Sequence, residues 1–121
     1  MKSSILRRSL PLVLGATLVA GMSHVSTAQT VKIGSLSAVT GPIANLVPPI
    51  IEAEQLAVKQ VNDAGGILGG RKLELVVGDT QCNAQASVDA AGKLVNVEQV
   101  VAIVGALCSG ATIGAASNVA V

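Results

Sequence analysis

Val100-Val-Ala-Ile-Val-Gly105 and the residues after it, Ala106-Leu-Cys-Ser-Gly-Ala-Thr112, decide the fold. The first six form an unbroken apolar run, rich in β-branched side chains and closed by glycine. That pattern predicts a strand buried on both faces, as in a parallel sheet. Residues 107–110 read as a loop, and a helix is expected from Ala111 onward. A buried strand feeding a helix through a short loop is half of a crossover unit, so the same pair should recur upstream.

It recurs twice. Lys72-Leu-Glu-Leu-Val-Val77 alternates and then turns apolar, as a strand with an exposed entry does. A polar loop follows over 78–83, where Asn83 is a suitable N-cap. The next helix would turn Ala84, Val88, Ala91 and Val95 inward. Gly92 weakens that helix by about 1 kcal/mol relative to alanine, a cost that close backbone packing would explain. The first unit opens with Val31-Lys-Ile-Gly-Ser-Leu36 and breaks at 37–42. Ile50, Ala53, Ala57, Val61 and Ala64 then recur at helical intervals, with Glu52, Lys59, Gln60 and Asp63 away from them. Pro48 and Pro49 suit the first turn of this helix, and Gly65-Gly66 suits its stop.

Three βα units predict an α/β fold, a partial doubly wound parallel sheet with right-handed crossovers. By fold class, the strand order should be 2-1-3. Ligands of such sheets bind at the carboxyl ends of the strands, which here carry the loops 37–42, 78–83 and 105–110.

The N-terminal segment reads differently. Lys2, Arg7 and Arg8 precede the apolar run Leu10-Pro-Leu-Val-Leu-Gly-Ala-Thr-Leu-Val-Ala-Gly-Met22, and Ser26-Thr27-Ala28 closes it with small residues. Positive, apolar, then small-x-small is the pattern of a secretory signal peptide, with cleavage expected after Ala28. The run is shorter than the roughly 20 apolar residues a spanning helix needs. Residues 29–121 would then form the exported chain, with five basic residues and all seven acids.

Composition narrows the function. The 121 residues include no Phe, Tyr or Trp, and the net charge is only +1. Nucleic-acid binding lacks both the basic face and the stacking platforms it requires. The only histidine, His24, leaves with the signal, so the exported chain has no imidazole for general-base or metal chemistry. Two cysteines cannot complete a zinc site. No enzyme activity, cofactor or metal is expected.

Leu107-Cys-Ser-Gly-Ala-Thr112 is the most informative site candidate. The first-turn amides of Gly110, Ala111 and Thr112 would face the strand-end crevice, where free N–H groups and the helix dipole favour an anion. Ser109 adds a hydroxyl, so the four residues could hold a carboxylate; the bland alternative is a plain cap and turn. Gly65-Gly-Ile-Leu-Gly-Gly-Arg-Lys72 is rejected as a phosphate loop, because it follows a helix and opens a strand. Asp79 could meet a ligand ammonium, but ordering its own loop is the commoner role. Cys82 and Cys108 lie in two of the strand-end loops. Either two buried thiols or a bridge fits there, and an oxidising compartment favours the bridge.

Val31-Lys-Ile-Gly34, Thr40-Gly-Pro42, Ala53-Glu-Gln55, Asn62-Asp-Ala-Gly-Gly66, Leu73 to Asp79, Cys82 and Leu107-Cys-Ser109 come in a characteristic order. The chain from Val31 onward resembles the opening of the branched-chain amino-acid-binding proteins, periplasmic solute-binding proteins of ABC transporters. The resemblance implies a type I binding-protein fold with two α/β lobes, of which residues 29–121 would be part of the N-terminal lobe. It implies a Cys82–Cys108 disulfide and, by motif match, a role for Ser109 on the ligand α-carboxylate. It also implies an amino-acid ligand, a membrane permease as partner and a periplasmic location. A sensory-receptor lobe, a binder of amides or other small acids, and a short form that binds no ligand are the alternatives.

Overall fold

A computed structural model describes residues 29–119; the expected signal peptide lies outside the described residues. The elements alternate: β1 (Val31–Ser37), α1 (Pro48–Asp63), β2 (Leu73–Asp79), α2 (Ala84–Asn96), β3 (Ala102–Gly105) and α3 (Ser109–Val119). The strands form one parallel sheet in the order β2-β1-β3, the order expected. Ser37 lies opposite Asp79, and Leu36 lies opposite both Gly78 and Gly105. All three strands therefore end in one row, which lines up the loops after them along a single edge.

Local signals act as their chemistry dictates. Pro48 and Pro49 occupy the first turn of α1. Asn83 caps α2, its side chain accepting the Ala86 N–H at 3.1 Å. The 65–72 segment is a tight turn in which Ile67 and Arg71 exchange backbone hydrogen bonds. Asn62 then docks α1 onto β2. Its amide donates to the Leu73 carbonyl at 2.9 Å, and its oxygen accepts the Leu73 N–H at 2.7 Å, which imitates a strand partner.

The inward faces agree with those expected only in part. In α1, Ile50 and Val61 of the expected face are half-buried, but Ala53 and Ala57, and Ala64 just beyond the helix, are exposed, while Ile51, Glu54, Val58 and Asn62 are half-buried instead. Branched aliphatics remove more apolar area from water than alanines do, so Val58 and Val61 are covered in preference to Ala53 and Ala57, although no residue of α1 is fully buried. In α2 the buried residues are Ser87, Ala91 and Leu94, while Ala84 and Val95 face out. Leu36, Ala91, Leu94 and Ala115 form the core, with Val76, Ala90, Val100, Ile103, Ala106 and Val119 packed against it.

Two further expectations are corrected. The strand β3 is not buried on both faces: it occupies an edge, pairs only with β1, and leaves Val104 54% exposed. Gly92 is not the close-packing glycine of the helices. Nothing presses on it, whereas a methyl group on Gly114 would lie 2.6 Å from the Ala84 carbonyl oxygen. Gly114 is thus what lets α3 approach α2.

Candidate functional site

Ser109 stands exposed as the first residue of α3, at the tips of the parallel strands. Its neighbours are placed less uniformly than the residue pattern suggests. Gly110 is exposed, but Ala111 is fully buried on the side of α3 that also buries Ala115. The Thr112 N–H is not open to the crevice, because it donates to the Cys108 carbonyl at 2.9 Å. The Thr112 hydroxyl donates to the Ala106 and Cys108 carbonyls at 3.0 and 3.1 Å. Thr112 therefore braces the loop, and the helix ladder claims its amide one residue sooner than expected. The exposed polar groups of this turn are then the Ser109 hydroxyl and the amides of Ser109 and Gly110, which have no intrahelical acceptor.

Cys82 and Cys108 form a disulfide with a Cα–Cα distance of 5.4 Å, joining loop 78–83 to the residue before Ser109. Asp79 orders its own loop, as the sequence favoured, by accepting the Gln81 N–H at 3.0 Å. It also does what the sequence did not show. One oxygen accepts the Thr40 N–H at 3.1 Å and the other accepts the Thr40 hydroxyl at 2.6 Å. Asp and Thr 39 positions apart carry no local signal of this pairing, which only the parallel register creates.

Burial pushes the Asp79 carboxyl upward, but hydrogen bonds from the Thr40 hydroxyl and the Thr40, Gln81 and Val39 amides outweigh it and hold the group below its ordinary 3.8. A depressed carboxylate contributes stability that is present above the unfolded value and lost as pH falls through the folded one. Acid unfolding should therefore lose a carboxylate-dependent component below about pH 4. Comparing acid titrations of the parent and Asp79→Asn by circular dichroism checks this: the variant should show the shallower decline, and superimposable curves would disprove it.

Asp79 is the only charged side chain in the three strand-end loops. A solute anion at Ser109 would meet backbone amides and a helix N-terminus rather than a cation. Two hollows border this edge and reach into it at Gly105 on one side and at Asp79 and Gln81 on the other. One of 360 Å³ lies between β3, α2 and α3, lined by Val95, Val101, Ile103 and Thr112. Another of 500 Å³ lies beside β2, lined by Asp79, Gln81, Asp89 and Lys93. Ser109 lines neither, so at Ser109 the strand tips present an open wall rather than an enclosed cavity. Among the described residues, no helix is long and apolar enough to cross a membrane.

Comparison with known proteins agrees with this architecture. The profile of the periplasmic binding protein family matches residues 30–121. The leucine-, isoleucine-, valine-, threonine- and alanine-binding protein of Pseudomonas aeruginosa is 37% identical over 98 residues, covering 80% of this chain and 26% of that protein. The branched-chain amino acid transporter substrate-binding protein of Streptococcus pneumoniae, solved with isoleucine, superposes with a TM-score of 0.70 at 34% identity. That match covers 76% of this chain and 26% of the other. A solute-binding protein of an ABC transporter from Rhodopseudomonas palustris, solved with 3,4-dihydroxybenzoic acid, gives 0.63 at 26% identity, over 73% of this chain and 23% of that one. The chain thus spans about a quarter of the length of the relatives it matches.

Proposed function

We propose that this chain, which belongs to the periplasmic binding protein family, receives the carboxylate end of an amino acid in an exported solute-binding protein that supplies an ABC importer. Residues 1–28 direct export to the periplasm, and residues 29–121 are part of the N-terminal lobe. The ligand is a branched-chain or similar amino acid. A second lobe closes over the solute and supplies the contact to its ammonium group, and a membrane permease is the receiving partner. The chain has no catalytic role.

The observation that carries this reading is the exposed Ser109 at the start of a helix, on the edge where all three parallel strands end. Such an edge is where open α/β sheets take ligands. Isoleucine and 3,4-dihydroxybenzoic acid, the solutes in two of the similar structures, share a carboxylate and little else. That common group favours the carboxylate as what this quarter of the protein reads. The same observation supports a second reading, a lobe for another small organic acid.

The test replaces the matching segment of the Pseudomonas aeruginosa protein with residues 30–119 of this chain and titrates the chimera with leucine calorimetrically. A hydrogen bond to a charged group is worth about 1.5–3 kcal/mol, so Ser109→Ala should weaken binding roughly 10- to 100-fold. Leucine amide, without the carboxylate, should bind poorly. Unchanged affinity in the variant, or equal binding of the amide, would defeat the proposal.

A further inference from the structure

We infer that Asp79 is a positioning residue, linking loop 37–42 mechanically to the first turn of α3 through Thr40 on one side and the Cys82–Cys108 bridge on the other. That a solute lies against this rim rests on the function proposed above; the linkage itself does not.

The connection can be followed atom by atom. Thr40 hands both its N–H and its hydroxyl to the Asp79 carboxylate. Gly41 then packs on the backbone of Gln81, so closely that a methyl group there would sit 2.8 Å from the Gln81 carbonyl oxygen. Asp79 accepts the Gln81 N–H as well, so one carboxylate holds both sides of that contact. Gln81 and Cys82 are both left-handed, with φ of 52° and 56°. Two consecutive non-glycine residues hold this conformation only where surrounding contacts over-determine it. The contacts are Asp79 on Gln81, the Thr80 carbonyl accepting the Asn83 N–H at 2.8 Å, and the disulfide from Cys82 to Cys108. Cys108 in turn accepts the amide and hydroxyl of Thr112. Thr40, Asp79, Cys82, Cys108 and Thr112 form one chain of constraints across all three loops.

Among the described residues, no other ionisable group holds Thr40 or Gln81 as Asp79 does. Loop 37–42 and α3 contain none. From α2 and just beyond it, Asp89, Lys93 and Glu98 line the groove beside Asp79, and Lys32 of β1 pairs with Glu98 at 3.5 Å. None of them bonds Thr40 in place of Asp79.

The experiment is amide hydrogen exchange and chemical-shift mapping of the oxidised full chain. In Asp79→Ala, the Thr40 and Gln81 amides should exchange at least about tenfold faster, a loss a single hydrogen bond of about 1.4 kcal/mol accounts for. Signals from Cys108 to Thr112 should shift, while Leu75 and Val76 of β2 stay within about twofold. Asp79→Asn retains an acceptor oxygen and should recover most of the protection. A uniform rise across the sheet, or unmoved signals at 108–112, would overturn the inference. If the alanine variant does not fold, the wild-type chain titrated from about pH 7 to 3 decides. The Thr40 and Thr112 amide signals should then share one midpoint, and separate midpoints would overturn the linkage. Failure of the parent chimera to bind leucine would refute the proposed function and leave the linkage through Asp79 standing.

Discussion

Replacing Cys82 and Cys108 together by serine is expected to remove about 3–4 kcal/mol of stability. The bridge spans a sequence separation of 26, and a loop of that length restricts the unfolded chain substantially on the chain-entropy account. The loss is large beside the core that must absorb it. Two leucines and two alanines form the buried cluster, and no aromatic side chain adds area. Net stabilities of single domains are only about 5–15 kcal/mol. The unfolding midpoint should fall by roughly 15–25 °C for a chain of this size, and reductant added to the wild-type chain should reproduce the shift. Thermal scans by circular dichroism measure both. A midpoint within a few degrees of the parent would show that the bridge adds nothing to stability. Because Cys108 directly precedes Ser109, solute affinity in the chimera should fall further than the stability change alone explains.

Gly105→Ala is expected to be nearly as damaging, although it adds one methyl group. Gly105 has φ of 107°, in the region where a side chain costs about 1–2 kcal/mol. Its new Cβ would also collide with the Leu36 carbonyl oxygen across the β1–β3 pairing. Overpacking of this kind costs about 1–3 kcal/mol, giving roughly 2–5 kcal/mol in all. The displacement would fall at the base of loop 105–110, so Ser109 should move with it. Gly92→Ala is the control. That glycine lies inside α2 with only the Asn96 amide nitrogen 4.0 Å from an added Cβ, and alanine there should stabilise by about 0.5–1 kcal/mol. Urea midpoints should therefore move in opposite directions for the two variants. A shift in the same direction would refute the steric account of Gly105.

Much of this arrangement is legible in the residues themselves. Asn83 announces the start of α2, Pro48 the start of α1 and Gly65-Gly66 its end, because each acts through its own backbone geometry. The alternation of strand and helix was enough for a parallel sheet, and fold class supplied its order, β2-β1-β3. Ser109 and the cysteines could be placed at the strand tips because the loops after parallel strands gather on one edge wherever that sheet forms.

What the residues alone could not settle is how far each element turns and which elements cover it. Periodicity admits neighbouring helix faces: Val61 lay on the expected one, but the tertiary structure also half-buries Val58, which shares a hollow with Leu73 and Leu75 of β2, and leaves Ala53 and Ala57 exposed. The apolar run at β3 implied burial, but burial belongs to the neighbours, and an edge strand paired only with β1 leaves Val104 open. The Thr112 amide looked free until the helix register assigned it to Cys108. Propensity and capping act over a few residues, so the amino-acid sequence by itself determined the elements, their order and the edge that carries Ser109. The tie between Thr40 and Asp79, 39 positions apart, exists only once β1 and β2 lie side by side, because a hydrogen bond needs its two groups within about 3 Å and only the tertiary fold brings them there.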